Sequence, residues 1–109
     1  MAYDEELAER VRRALAGRND LSEKKMFGGI AFMLHGNMSC GVEKYQLMVR
    51  VGPERYEEAL ARPHARPMDF TGRPMKGLVY VGPEGLRSDA DLNDWVRLAE
   101  EFAGSLPPK

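Results

Sequence analysis

The single cysteine of the chain, Cys40, lies five residues after a histidine, His35, and the two could form a nucleophilic pair. A nucleophilic thiol needs a neighbouring base, cation or helix N-terminus that lowers its pKa. The sequence around Cys40 alternates as in a half-buried strand, which places Met38, Cys40 and Val42 on one face. An apolar row raises a thiol pKa, and free cysteine is among the most buried residue types. We therefore predict a structural cysteine and no catalytic residue.

Two alternatives to this interpretation differ in strength. A small thiol-dependent enzyme could use Cys40 with His35 or with the second histidine, His64. Metal binding is the weaker alternative, because one cysteine and two widely spaced histidines do not match any structural zinc pattern. We expect no metal and no cofactor.

Two adjacent glycines, Gly28 and Gly29, could cradle a phosphate if a helix followed them. The residues that follow, IAFML, have the pattern of a strand, and no lysine with a serine or threonine comes after the pair. A bend, a bulge or a close crossing of strands explains the glycines better. The sequence therefore predicts a structural role for them.

Positive charge is concentrated in the segment Arg62–Lys76. Against one acid, Asp69, this segment holds Phe70 and the basic residues Arg62, His64, Arg66, Arg73 and Lys76. Such charge beside an aromatic ring can bind phosphate or single-stranded nucleic acid. The net charge of the whole chain is -1, which is unfavourable for a nucleic-acid-binding protein. The segment is either a surface that binds an anion or a partner, or a proline-stiffened loop whose arginines pair with acids of the helices.

The size and composition of the chain bound its class. Its 109 residues suffice for one domain with a core of its own. A single cysteine cannot form an internal disulfide, which fits a reducing compartment. The acidic start MAYDEELAERV is unlike a signal peptide, and no apolar run approaches the roughly 20 residues that span a bilayer. We expect one cytoplasmic domain over 1–109, with a core at 3–103, a tail at 104–109 and no membrane partner.

The elements that must position these residues follow from hydrophobic periodicity, which changes from helical to strand-like at Lys24. Seven methionines accompany the predicted strands, as core residues or as an adaptable binding face. The pattern predicts an α+β domain of order α-β-β-β-β-α-β-β-α, with helices packed on an antiparallel sheet whose first four strands form a meander. The predicted helices are Asp4–Ala16, Gly52 to Pro63 and Asp89–Gly104, the last capped by Ser88, and the predicted strands are Lys24–Phe27, Gly29–Leu34, Met38–Val42, Gln46–Val51, Met68–Phe70 and Leu78–Val81.

Three motifs in this order carry a resemblance to a known family. They are Met26-Phe27-Gly28-Gly29, Leu47-Met48-Val49-Arg50-Val51, and Met68-Asp69-Phe70 through Met75-Lys76-Gly77, followed by a helix with a tryptophan. From about Tyr3 to Phe102 the chain resembles the TfoX N-terminal domain family, as a single-domain member. The resemblance implies a fold similar to the type III secretion chaperone-like class, and a structural role for the signature residues Met26, Phe27, Gly28, Gly29, Asp69 and Phe70.

The resemblance also implies a function, because the family takes its name from regulators of competence for DNA transformation, TfoX/Sxy. The implied function is a bacterial, non-enzymatic regulatory or adaptor domain that acts through protein–protein interaction, with transcription as the regulated process. The expected partners are an unidentified protein and a second copy in a homodimer. Binding of nucleic acid or a nucleotide through the Arg62–Lys76 segment is the alternative.

Overall fold

Six strands and three helices make up the chain in the computed structural model, which describes residues 3–26, 28–69 and 74–108. The side chains of residues 26, 69 and 74–76 are outside this description. The elements in chain order are α1 Glu5–Ala14, β1 Leu21–Met26, β2 Gly29–Leu34, β3 Asn37–Glu43, β4 Gln46–Arg50, α2 Tyr56–Leu60, β5 Ala65–Asp69, β6 Pro74–Val81, a 3₁₀ turn Pro83–Leu86, and α3 Asp89–Gly104.

All strands join one antiparallel sheet in the order β1-β2-β3-β4-β6-β5. The first four strands form the predicted meander, and β6 adds beside β4 so that β5 lies at the second edge. The predicted α+β class and its order of elements are confirmed.

Several predicted helices and strands differ in their bounds from the observed ones. β1 begins at Leu21 rather than Lys24, because it pairs with the whole of β2, Leu21 opposite Leu34. β5 begins at Ala65, although its Pro67 indicated a loop, since an edge strand tolerates a proline. The second helix is only one turn and a half, Tyr56–Leu60, and the 3₁₀ turn after β6 was not predicted.

Side-chain caps begin the two longer helices. The Asp4 carboxylate accepts hydrogen bonds from the backbone N–H groups of Glu6 at 3.0 Å and Leu7 at 3.2 Å, so Asp4 is the cap of α1 and not its first residue. The Ser88 hydroxyl accepts one from the N–H of Asp91 at 3.0 Å, as predicted. Both helices therefore begin where a short polar side chain satisfies free N–H groups.

The helices all pack on one face of the sheet, where they form the main core. This core joins Leu7 and Val11 of α1, Tyr56 of α2 and the buried stripe of α3 to inward residues of the strands. The stripe of α3 consists of Leu92, Trp95, Val96, Ala99 and Ala103. The other face carries a second apolar cluster built from strand residues alone: Met48, Met68, Leu78 and Tyr80, with Met38 packed against them.

A bulge in β3 places Met38 and Cys40 on opposite faces of the sheet, although the sequence alternation predicted that they share one. The register between β2 and β3 shifts between Phe32 and Met33, which leaves Ser39 as an extra residue. The Ser39 hydroxyl is buried and donates a hydrogen bond to the Phe32 carbonyl at 3.0 Å. Cys40 therefore faces the helices, whereas Met38 lies on the opposite face. The prediction that Met38 shares a face with Cys40 was wrong, because the bulge reverses the alternation.

The glycine pair connects β1 to β2. Gly28 lies in the turn with a φ of 76°, in the left-handed region that favours glycine. At Gly29 an added Cβ would lie 2.3 Å from the carbonyl oxygen of Val42 on β3, so the strands approach too closely for a side chain. Gly28 thus allows a tight turn, and Gly29 allows a close approach of β2 to β3.

The segment after α3 is held against the sheet. The Asn37 side chain, which is buried at the start of β3, donates a hydrogen bond to the carbonyl of Pro107 at 2.9 Å. This hydrogen bond connects the segment after α3 to the start of β3. Among the described residues no helix has both the length and the apolar character needed to cross a membrane.

We expect Gly29→Ala to lower the free energy of unfolding by about 1–3 kcal/mol, because the new methyl group would displace the backbone of β3. Gly104→Ala is the matched control, since the methyl group it would add at the end of α3 has no heavy atom of the described residues within 4 Å, apart from its chain neighbours and the backbone of its own helix. Urea denaturation followed by circular dichroism measures both. Equal stability of the two variants would contradict the close approach of β2 to β3 at Gly29.

Candidate functional site

The thiol of Cys40 is fully buried among core residues. Burial raises the pKa of this thiol to about 12, although the Ser39 Oγ lies 3.8 Å from its Sγ. The imidazole of His35 pairs with Asp20 instead, its Nε2 lying 3.2 Å from Oδ2. The structure thus leaves Cys40 protonated at neutral pH and directs His35 to another partner.

His35 joins a charged cluster that the sequence pattern did not indicate. The Arg18 guanidinium binds both carboxylate oxygens of Asp20 at 2.8 and 2.9 Å and one oxygen of Glu100 on α3 at 2.9 Å. Arg18 lowers the pKa of Asp20. The cluster connects the segment after α1, the turn between β2 and β3, and α3.

Arg62, just after α2, packs on the helix side of the sheet. Its guanidinium lies over the ring of Trp95, 5.1 Å from the centroid, and 3.8 Å from the carboxylate of Glu58. Stacking on an aromatic ring restrains an arginine without removing its charge. Arg62 is therefore engaged by α2 and α3 and only partly open to a ligand.

His64 and Arg62 line a cavity of about 290 Å³ that three acidic residues also line. These acids are Glu84, Asp91 and Asp94, so three carboxylates share the cavity with one arginine and one histidine. His64 itself is exposed, and its carbonyl accepts a hydrogen bond from the N–H of Gly82 at 3.1 Å. Three carboxylates around one arginine repel an anion, so this cavity is unsuited to phosphate.

Arg66 lies on the opposite face of the sheet. Its guanidinium sits over the ring of Tyr80, 5.0 Å from the centroid, and donates a hydrogen bond to the side-chain carbonyl of Gln46. The Tyr80 hydroxyl donates one to Glu43 at 2.7 Å, and burial together with this bond raises the pKa of Tyr80 above its usual range. Arg66 is exposed but held in one orientation by two neighbouring strands.

Of the predicted basic residues that the structure describes, Arg62 and Arg66 do not share one surface. Arg62 contacts Trp95 of the main core, whereas Arg66 contacts Tyr80 of the second cluster, and these clusters lie on opposite faces. Arg73, together with Phe27 and Phe70 of the signature, lies outside the described residues. The side chains of Lys76, Met26 and Asp69 are outside the description as well.

Residues 13–103 match the model of the TfoX N-terminal domain. The chain belongs to the TfoX N-terminal domain family. This family is associated with the regulation of competence. A search of curated proteins found no match, and a search of solved structures found none.

Two further features of this TfoX N-terminal domain bear on its chemistry. The glycine pair is followed by strand β2, so it lacks the helix N-terminus that a phosphate cradle requires. In the described ranges no three side chains of the ligand types His, Cys, Asp and Glu converge as a metal site would need. Of the two arginines of the predicted segment that the structure describes, Arg66 is exposed and Arg62 is half-buried.

We expect Cys40 to react with a thiol reagent at pH 7 far more slowly than an exposed cysteine, because the thiolate is the reactive form and this thiol is buried and protonated. Absorbance with a chromogenic disulfide reagent, in buffer and in denaturant, measures the two rates. Arg97→Cys, at an exposed position on α3, provides a reactive control in the same fold. Native labelling of Cys40 as fast as that of the control would support an activated thiol.

Proposed function

We propose that this TfoX N-terminal domain is a non-enzymatic regulatory domain of the cytoplasm that acts by binding a protein partner. Family membership carries the proposal, because the family is associated with the regulation of competence. The burial of Cys40 supports it, since the one strong nucleophile of the sequence is protonated in the core.

We further propose that the partner contacts the surface around Arg66. Interface hot spots are enriched in arginine, and a side chain already held in place loses little entropy on binding. Arg66 meets both conditions, because it is exposed while Tyr80 and Gln46 fix its guanidinium. Arg62 and His64 fit a partner less well, since acids of α2, α3 and the 3₁₀ turn surround them.

A photo-crosslinker attached through a cysteine introduced at position 46, beside Arg66, tests this surface. We expect Gln46→Cys carrying benzophenone to form a discrete protein adduct in the native cytosol, since Arg66 and its packing on Tyr80 are retained. The same probe on Arg97→Cys should form none, because position 97 lies on the exposed side of α3. The buried Cys40 does not compete for the label. The adduct is resolved by gel electrophoresis and identified by mass spectrometry. Absence of adducts from position 46, or the same adduct from positions 46 and 97, would refute the proposed surface.

Nucleic-acid binding through the Arg62–Lys76 segment is the second candidate function, supported by the five basic residues of the segment. It predicts an affinity for a single-stranded oligonucleotide that falls with salt, by about 0.7 logarithmic unit per tenfold rise in salt for each phosphate contact. Because Arg62 and Arg66 lie on opposite faces, we expect no salt-dependent binding tighter than about 100 μM at 150 mM salt, a weak non-specific affinity. Fluorescence anisotropy measures it. Tighter binding that Arg66→Ala with Arg73→Ala abolishes would establish this second function instead.

A further inference from the structure

The two edge strands of the sheet differ in how they oppose further pairing. β5 contains Pro67, and its register with β6 shifts between Pro67 and Asp69. Proline and bulges are devices by which edge strands avoid pairing with another chain. β1 has neither, since its six residues Leu21–Met26 pair with β2 without a register shift.

The outer side of β1 is open in the described part of the chain. The extensive contacts of β1 are all with β2, and Ser22, Glu23, Lys24 and Lys25 are exposed. An edge strand presents backbone N–H and C=O groups that can hydrogen-bond to another strand. Lysines protect such an edge from indiscriminate pairing, so the occupant must suit the charges of β1.

A second copy of β1 suits these charges in one register. Two copies related by a two-fold axis pair antiparallel, and residues of the same face stand opposite each other. When the two-fold axis passes between the two copies of Lys24, Glu23 stands opposite Lys25 of the other copy, and this ion pair occurs twice. A two-fold axis between the two copies of Glu23 would instead place two glutamates opposite each other. Only the register centred on Lys24 gives opposite charges at both flanking positions.

The side chain of Glu23 is already held in place for this contact. Its carboxylate receives two hydrogen bonds from Arg12 on α1, at 2.8 and 2.9 Å, and it is still about one-third exposed. A carboxylate offers about four lone-pair sites, so two stay available for a lysine of the second copy. Glu23 and Lys25 pair with Phe32 and Ile30, so both lie on the helix-bearing face. The two Lys24 side chains meet on the other face, and their repulsion keeps the association weak.

We propose that β1 is a self-association edge, at which two copies of this chain join their sheets antiparallel with Glu23 of each copy opposite Lys25 of the other. The inference goes beyond the proposed function, because it concerns the edge remote from Arg66. Failure of either proposal leaves the other standing.

Charge reversal tests the pairing. Sedimentation of the wild type over a range of concentrations gives the dimer dissociation constant, and Lys25→Glu should weaken the dimer about tenfold or more, since two cross-strand attractions become repulsions. Glu23→Lys should weaken it similarly. An equimolar mixture of the two variants should form a heterodimer, in which both pairs are again opposite in charge. Arg97→Glu, an equal charge change on α3, should leave the dimer unchanged.

Disulfide capture tests the register independently of the charges. In the proposed dimer position 24 meets its own copy, so Lys24→Cys should oxidise to a covalent dimer. Ser22→Cys should stay monomeric on oxidation, because the two positions 22 lie about 13 Å apart, four strand residues from direct opposition. Circular dichroism of each variant verifies its fold. A wild type that is monomeric at about 1 mM, a dimer indifferent to Lys25→Glu, or equal capture at both positions would overturn the proposal.

Discussion

The packing of α3 across the middle of the sheet is the interaction on which the rest of this domain depends. α3 contacts β2, β3, β4, α1 and the 3₁₀ turn. Its small residues Ala99 and Ala103 are buried, which lets the helix lie close to the strands, while Leu92, Trp95 and Val96 fill the core. Burying a large apolar side chain contributes about 1.5–3 kcal/mol, so this stripe is a large share of the stability of a small domain.

The same helix fixes the charged groups that surround it. Trp95 provides the ring on which Arg62 rests, and Glu100 receives Arg18 from the segment after α1. Partly exposed ion pairs add little to stability, typically below about 1 kcal/mol, but they restrict the orientations of long side chains. The orientations of Arg62 and Arg18 are therefore set by a helix that is itself anchored in the core.

The fold was largely predictable from the sequence because it depends on local alternation and on turn residues. Strand β2 and the extent of α3 follow from periodicity, and the glycines at the β1–β2 turn from their position between two strands. The Ser39 bulge was not predictable, since it depends on a hydroxyl that reaches the carbonyl of Phe32 across the sheet. One extra residue then reversed the face of Met38, and no periodic pattern within β3 records that reversal.

The candidate site was harder to predict, because residues close in sequence need not share a surface. Arg62 follows a helix and Arg66 lies in a strand, and their aromatic partners, Trp95 and Tyr80, come from elements distant in the chain. The two arginines of the basic segment that the structure describes lie on opposite faces of the sheet, and Arg62 also lies beside carboxylates. Because their guanidinium groups lie on different faces of the sheet, Arg62 and Arg66 cannot join in one continuous positive surface of the kind that a phosphate backbone binds.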